Sequence, residues 1–363
     1  MSMGKGFTIA SKLDLGKVLL EGYEKAQLPE LPRIKISAIA NDSVATLVSF
    51  AYQFSSNPHS KAAMGLICGT GCNATIPLAL SKLHPSKRPT RVKVLDDTET
   101  DDDLKITVNT EWTIKGAAGP LHELNFITKW DLKLDSEGEA PGFQPFEYMT
   151  AGRYLGELGR IIIVDYFTNH LSIPFSSLPP KLQQRYGLST TFLGNLGPHL
   201  ASQQPSMLKQ LEKELSPVSG KDPWNWDEEA AQAVFAIANA IQKRAAGLAA
   251  AAIIGLLACA DELHLSPSPS SSTNHLHVSN GNTKPSTSNS NSEIDELMVG
   301  YTGGCIVHFQ SYLSDCQAFL DAIIEAEFGE HARPRVVLRA CHDGGIIGAG
   351  ILAGTVESIA HDS

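Results

Sequence analysis

The sequence predicts an α/β or mixed α+β protein. Strand-like runs, some alternating polar and apolar residues, interleave with segments whose apolar residues recur at helical spacing. Glycine-rich turns follow several of those runs, where α/β folds place loops that carry function. At 363 residues, with 42% hydrophobic and 19% charged, the chain is long enough to bury a core without disulfide or metal staples.

The elements follow in order. Arg33-Ile-Lys-Ile-Ser-Ala-Ile-Ala40 alternates and reads as a strand ending at Asn41-Asp42. Val44, Leu47, Val48 and Ala51 then recur as one face of a helix. Met64-Gly-Leu-Ile-Cys68 is a short buried strand running into Gly69-Thr70-Gly71. Arg91-Val-Lys-Val-Leu95 and Lys105-Ile-Thr-Val-Asn109 are further strands. Phe146 to Tyr166 reads as one long amphipathic helix, interrupted only by Gly152, Gly156 and Gly159. Asp227 to Ala260 keeps helical pattern throughout. Residues 266–293 form a Ser/Asn/Pro tract with little to bury, expected to be a disordered insertion. Leu297–Tyr301 and Arg335–Leu338 are late strands, the second followed by a glycine-rich turn.

Composition excludes several classes. Lys+Arg 29 against Asp+Glu 39 leaves a net charge of −10, so no nucleic acid partner with its need for a basic face is expected. The longest apolar run, Ala245 to Ala260, is sixteen residues, short of the roughly twenty that span a bilayer. It is expected to be a buried helix and not a membrane span. The first residues lack an apolar secretory core, and Asp14 and Glu21 do not suit a mitochondrial leader, so a cytoplasmic location is expected. Six scattered cysteines read as buried thiols of a reducing compartment. Cys305-x-x-His308 and Cys341-His342 have no second pair to complete a metal site, so none is assigned.

Taken singly, the candidate sites have two readings. Asp42 at a strand–helix junction is either a helix cap or a carboxylate placed to accept a proton. Gly69-Thr70-Gly71-Cys72-Asn73-Ala74 is a hairpin turn, a phosphate-binding loop, or a G-x-G-x-x-A dinucleotide fingerprint with Asp96-Asp97 as its acidic partner. Glu147 opens a helix, where the dipole alone favours it. His342-Asp343-Gly344-Gly345 is a tight turn or a backbone surface against a nucleotide.

Their order narrows these readings. Lys5-Gly6-Phe7, Asn41-Asp42-Ser-Val-Ala-Thr46, Gly69-Thr-Gly-x-Asn73, Asn109-x-Glu111-Trp112, Thr128-Lys-Trp-Asp131 and Phe146-Glu147-x-Met-x-x-Gly152-x-Tyr-Leu-Gly-Glu157 follow one another as in hexokinases. The chain resembles a eukaryotic, fungal hexokinase over most of its length. The resemblance implies an actin-like ATPase (ribonuclease H-like) fold, with a remnant of the small domain at 1–41 and the large domain at 42–363. It implies phosphorylation of a hexose or hexosamine, glucose or N-acetylglucosamine, at its 6-hydroxyl by ATP with Mg2+, the metal held mainly by the nucleotide.

By the same resemblance, Asp42 is the catalytic base, and Lys5, Asn41, Asn73, Glu111 and Glu147 hold the sugar. Gly69, Thr70 and Gly71 form a phosphate loop, and Gly303, Asp343 and Gly344 fall where the family contacts adenosine. The departures gather at the nucleotide end. Gly4 replaces a sugar-loop Thr, Thr302-Gly303-Gly304 replaces Asp-Gly-Ser, Ile346-Ile347 replaces Gly-Lys, and Gln242-Lys243 stands where Ser-Thr is common. That pattern resembles atypical fungal members, some of which phosphorylate N-acetylglucosamine and some of which act as regulators. The family's first phosphate loop, Leu-Asp-Leu-Gly-Gly-Thr, and its Ser-Phe-Pro sugar segment do not occur, so roughly 150 residues of small domain are expected to be missing and transfer to be weak or absent. Two alternatives stand beside this reading. One is a catalytically inactive sugar-sensing or regulatory protein; the other is an NAD-dependent oxidoreductase built on Gly69 to Asp97.

Overall fold

The computed structural model describes residues 14–55, 57–89, 104–114, 117–196, 204–217, 224–265, 294–309 and 311–361. Lys5, the 91–95 strand, Asp96-Asp97 and the 266–293 tract lie outside them.

Five strands make one sheet: β1 (Ser60–Cys68), β2 (Cys72–Ala79), β3 (Lys105–Asn109), β4 (Glu296–Thr302) and β5 (Arg335–Ala340), in spatial order β3-β2-β1-β4-β5. β1 and β2 form an antiparallel hairpin in which Cys68 faces Cys72, and β3 adds antiparallel to β2. β4 and β5 add in parallel on the other side of β1, with Gly65 opposite Gly300 and Gly300 opposite Arg339. Only β2 therefore runs against the rest. The carboxyl ends of β1, β3, β4 and β5 and the start of β2 share one edge of the sheet.

One face of the sheet is covered by α2 (Asp42–Phe54), and the C-terminal helix (Gly344–His361) packs on α2. The approach is close. A Cβ on Gly300 would lie 2.5 Å from the Phe50 ring, and one on Gly348 would lie 1.8 Å from the Ala45 carbonyl oxygen. Side chains larger than hydrogen would push α2 off the sheet, or the last helix off α2.

The other face looks onto the main core. α5 (Pro145–Thr150), α6 (Gly152–Asn169), α10 (Glu228–Cys259) and α12 (Tyr312–Phe328) bury Leu155, Leu158, Ile163, Ile253, Leu257 and Leu320 there with Met64 and Leu66 of β1. Smaller elements complete the chain: α1 (Leu15–Ala26), α3 (Ala118–Glu123), α4 (Lys129–Ser136), α7 (Pro180–Gln183), α8 (Thr190–Gly194), α9 (Gln204–Glu214) and α11 (Gly304–His308), with Gly344–His361 as α13. α10 is long and apolar enough to cross a membrane by length and composition. Here it packs against α12, α6 and α5, with more than half of its apolar window buried.

Three expectations are corrected. Residues 33–40 form no strand; they run without regular structure, and several of their side chains are exposed. Alternation is a weak strand signal without a ladder, and among the described residues no strand pairs with this segment. The expected 146–166 helix is two helices, broken at Ala151 (φ −100°, ψ 145°) where the Gly69 carbonyl accepts the Gly152 N–H at 2.8 Å. The dinucleotide fingerprint also fails. That motif needs a helix whose N-terminus faces the pyrophosphate, and Gly69-Thr70-Gly71 leads straight into strand β2.

Candidate active site

Asn41, not Asp42, caps α2. Its Oδ1 accepts the Ser43 N–H at 2.9 Å and the Ser43 hydroxyl at 2.6 Å. Asp42 is the first helical residue and is exposed. Its Oδ1 shares the Ser43 N–H, also at 2.9 Å. An anion at a helix N-terminus is stabilised by the unpaired N–H groups there, so the cap is filled and the Asp42 carboxylate still faces solvent.

The polar group beside it spans three elements. The buried hydroxyls of Ser43 and Thr75 are 2.6 Å apart, joining α2 to β2. Asn73, at the start of β2, donates through Nδ2 to Asn109 Oδ1 at 2.7 Å and Glu111 Oε1 at 3.3 Å. Asn109 Nδ2 also donates to Glu111 Oε1, at 2.9 Å. Glu111 sits at φ 46°, a left-handed conformation that L-residues with a Cβ seldom adopt. Strain of that kind gathers where a side chain must be aimed.

Glu147 is buried on α5 and accepts the Thr113 hydroxyl at 3.4 Å. Trp112 stands between, its Nε1 donating to the Cys72 carbonyl and its ring edge-on to Phe146 at 5.6 Å. Asn41, Asp42, Asn73, Glu111 and Glu147 therefore gather at the carboxyl edge of the sheet. Amides and carboxylates set on strand ends and a helix start can accept and donate in pairs, as vicinal hydroxyls require.

The glycine loop opens on a second space. Gly69 N–H bonds the Gly71 carbonyl at 2.9 Å, closing the turn, and the Thr70 carbonyl accepts the Arg153 N–H at 3.2 Å. A cavity of about 280 Å³ is lined there by Gly69, Thr70, Gly152, Arg153, Thr190, Thr191, Gly304, Cys305, His308 and Phe309. Hydroxyls, an arginine and a histidine line it, with no carboxylate among them. Gly303 takes φ 122°, and a Cβ on it would meet the Cys68 carbonyl oxygen at 2.4 Å, so β4 can pass this close to the loop only with glycine there.

Asp343 (φ 56°) and Gly344 stand after β5, Gly344 against Thr46 of α2; neither lines this cavity. Sequence reading missed Arg153, Thr190, Thr191 and His308 as cavity-lining residues. Thr190 carried no local signal, yet its hydroxyl donates to the Gly152 carbonyl and accepts the Gly156 N–H at 2.7 Å.

Thiols lie beneath the loop. Cys68 and Cys72 flank it, Cys305 is close by, and all three are buried. Hydrogen bonding to Cys305, together with burial, pushes the Cys68 thiol well up from its ordinary pKa; bonding to Cys68 and burial do the same for Cys72.

Two family models described as hexokinase match this chain, one over residues 63–355 and one over residues 1–52. The chain belongs to the hexokinase family. Among its relatives, the hexokinase of Schwanniomyces occidentalis is 33% identical over 52% of this chain and 36% of that protein. Hexokinase-1 of Nicotiana tabacum is 24% identical over 97% of this chain and 60% of that protein. The chain thus spans about a third to three fifths of the length of these curated hexokinases. A solved hexokinase of Schistosoma mansoni complexed with glucose superposes at TM-score 0.66 and 26% identity, over 93% of this chain and 61% of that one. A second hexokinase crystal structure superposes at 0.60, covering 93% and 58%, with 22% identity. The fold is that of the actin-like ATPases, and the family's activity is sugar phosphorylation.

Proposed function

We propose that this hexokinase-family chain carries the sugar site and proton acceptor for transfer of the γ-phosphoryl group of ATP to the 6-hydroxyl of a hexose or hexosamine in the cytoplasm, with transfer weak until a small domain completes the phosphate clamp. The observation that carries the reading is the bonded group Asn41–Ser43–Asn73–Asn109–Glu111, with the exposed Asp42 carboxylate beside it. Asn73, Glu111 and Glu147 would bond sugar hydroxyls and fix the ring. Asp42 would accept the proton from the attacking hydroxyl, with Asn41 and Ser43 keeping its helix start in place. Phosphoryl transfer depends chiefly on positioning and charge stabilisation, and one aligned carboxylate suffices for the proton.

The cavity beside Thr70 suits the nucleotide. Its hydroxyls and Arg153 can meet phosphate oxygens, and its glycine backbone leaves room for close approach. With no carboxylate in its lining, Mg2+ would ride on the phosphates as part of the substrate.

Calorimetry with glucose, N-acetylglucosamine and MgATP, alongside a coupled ADP-release assay, tests the reading. In a full-length version that also carries the small domain, Asp42→Ala is expected to abolish transfer while sugar still binds. Unchanged turnover in that variant would reduce Asp42 to a helix residue and overturn its role.

A second reading, a sugar sensor without catalysis, draws support from the nucleotide end. Ile346 and Ile347 replace the family's Gly-Lys after β5, and both are exposed, Ile346 at 78%. Sugar binding without nucleotide binding in the same calorimetry would favour it.

A further inference from the structure

A further cavity among the described residues lies away from the nucleotide end. It has a volume of about 590 Å³, between the α3 segment and the middle of α10. Leu121, Leu124 and Phe126 form one wall, Leu248, Ala251 and Ala252 of α10 form another, and Phe146 and Phe319 close the ends. Leu124, Phe126 and Phe319 are exposed despite their size. Nothing in the proposed phosphoryl transfer uses this space.

Its charge is opposite to that of the chain. The sequence carries 39 acids against 29 bases, yet among the described residues Lys243 and Arg244 are the charged ones that line the cavity, with no acid beside them. Arg244 is already occupied, with both of its terminal nitrogens on Asp131 at 2.8 Å. Lys243 is exposed and has no ion-pair partner among the described residues. Apolar walls with one uncommitted ammonium at the lip suit a ligand with an alkyl body and an anionic head.

The cavity also touches the sugar end. A neighbouring space of about 310 Å³, lined by Thr110, Glu111 and Trp112, shares Ala117, Phe146 and Ala252 with it. An occupant would rest against Phe146, whose ring meets that of Trp112.

We propose that this cavity binds a medium-chain fatty carboxylate, alkyl chain between Leu124, Ala251 and Phe319 and head group on Lys243. The test is calorimetric titration of the whole chain with sodium dodecanoate below its micelle concentration. One saturable site is expected. Ala251→Trp, at an exposed position of α10, fills the cavity and should abolish binding. Lys243→Glu, on the surface and fold-neutral even if the tryptophan variant misfolds, should weaken it by about tenfold.

Any of three results overturns the proposal: no binding of dodecanoate, binding unchanged in both variants, or dodecyltrimethylammonium binding as tightly as dodecanoate. So does a dimer in sedimentation that falls apart in Ala251→Trp, since a second copy of the chain would then be the occupant.

Discussion

The hydroxyls of Ser43 and Thr75 meet at 2.6 Å, with no water-accessible surface on either residue. With the Asn73 amide that also reaches the Ser43 hydroxyl at 3.4 Å, this bond ties the first turn of α2 to the second strand, and Asn41 accepts from the same hydroxyl. Replacing Ser43 by Ala leaves Thr75 and Asn41 each short of a partner. Stranding a buried polar group costs about 1–3 kcal/mol. Urea unfolding of Ser43→Ala is expected to show a lower midpoint with an unchanged slope. Thr75→Val in the same background should add little, because the bond is already gone.

Arg244 and Asp131 give a second prediction. The guanidinium forks onto a carboxylate whose side chain is 5% exposed, and the same carboxylate closes a capping box with Thr128 at the start of α4. Removing Asp131 strands the arginine and uncaps the helix. The cost of Asp131→Ala is expected to be about 3 kcal/mol, the low end for a buried pair, because Arg244 keeps 21% of its side chain in water. A double-mutant cycle with Arg244→Met should return a large coupling energy. Additive losses would show that the pair contributes only through the cap.

The acid limb of stability should depend on Glu262. Burial works against its charge, but hydrogen bonds from Lys61 at 2.6 Å and Lys105 at 2.9 Å outweigh burial and hold its carboxyl below the ordinary glutamate value. A depressed carboxyl stabilises the fold above the unfolded-state pKa, and that stability is lost as pH falls through the lower, folded value. Denaturation midpoints measured from pH 6 downward should therefore fall less steeply in Glu262→Gln than in the wild type over that window. Parallel curves would assign the acid limb to other groups.

Thiol reactivity gives the fourth prediction. Cys259 is exposed, and the other five cysteines are buried. Burial pushes the Cys316 thiol to about 12 and raises Cys341 as well. Thiolate is the reactive form, so a chromogenic disulfide at mild alkaline pH should titrate one thiol quickly and the rest only on unfolding. Fast reaction of two or more would mean that the loop over Cys68 and Cys72 opens readily.

Much of this structure was legible in the sequence where local pattern and tertiary demand agree. Helical spacing from Asp227 to Ala260 matches α10 to within a residue at each end. Thr128 and Asp131 stand at capping-box spacing and form one. The residues expected at a sugar site were marked by their order along the chain, shared with hexokinases, and the structure brings Asn41, Asp42, Asn73, Glu111 and Glu147 to one edge of the sheet. What stayed hidden depends on partners distant in the chain. The break at Ala151 exists because a carbonyl some eighty residues earlier takes the next amide; Gly152 interrupts the pattern there, but so do Gly156 and Gly159, which stay helical. Thr190 joins the cavity beside Thr70 through its bond to the Gly152 carbonyl. The 33–40 segment shows the converse, a strand pattern that pairs with none of the five strands among the described residues.

The direction of the strands has a practical consequence. β4 begins at Glu296 beside Ser60, where β1 also begins, so the chain from α10 enters the sheet at the edge opposite the glycine loop. The described residues on either side of the 266–293 tract stand at the amino ends of the strands, Glu262 on Lys61 and Asp295 on the His59 carbonyl. A reporter domain inserted there, or a deletion of that stretch, should leave the loops at the other edge undisturbed. The sheet separates a margin where the gene can tolerate editing from one where single atoms are held in place.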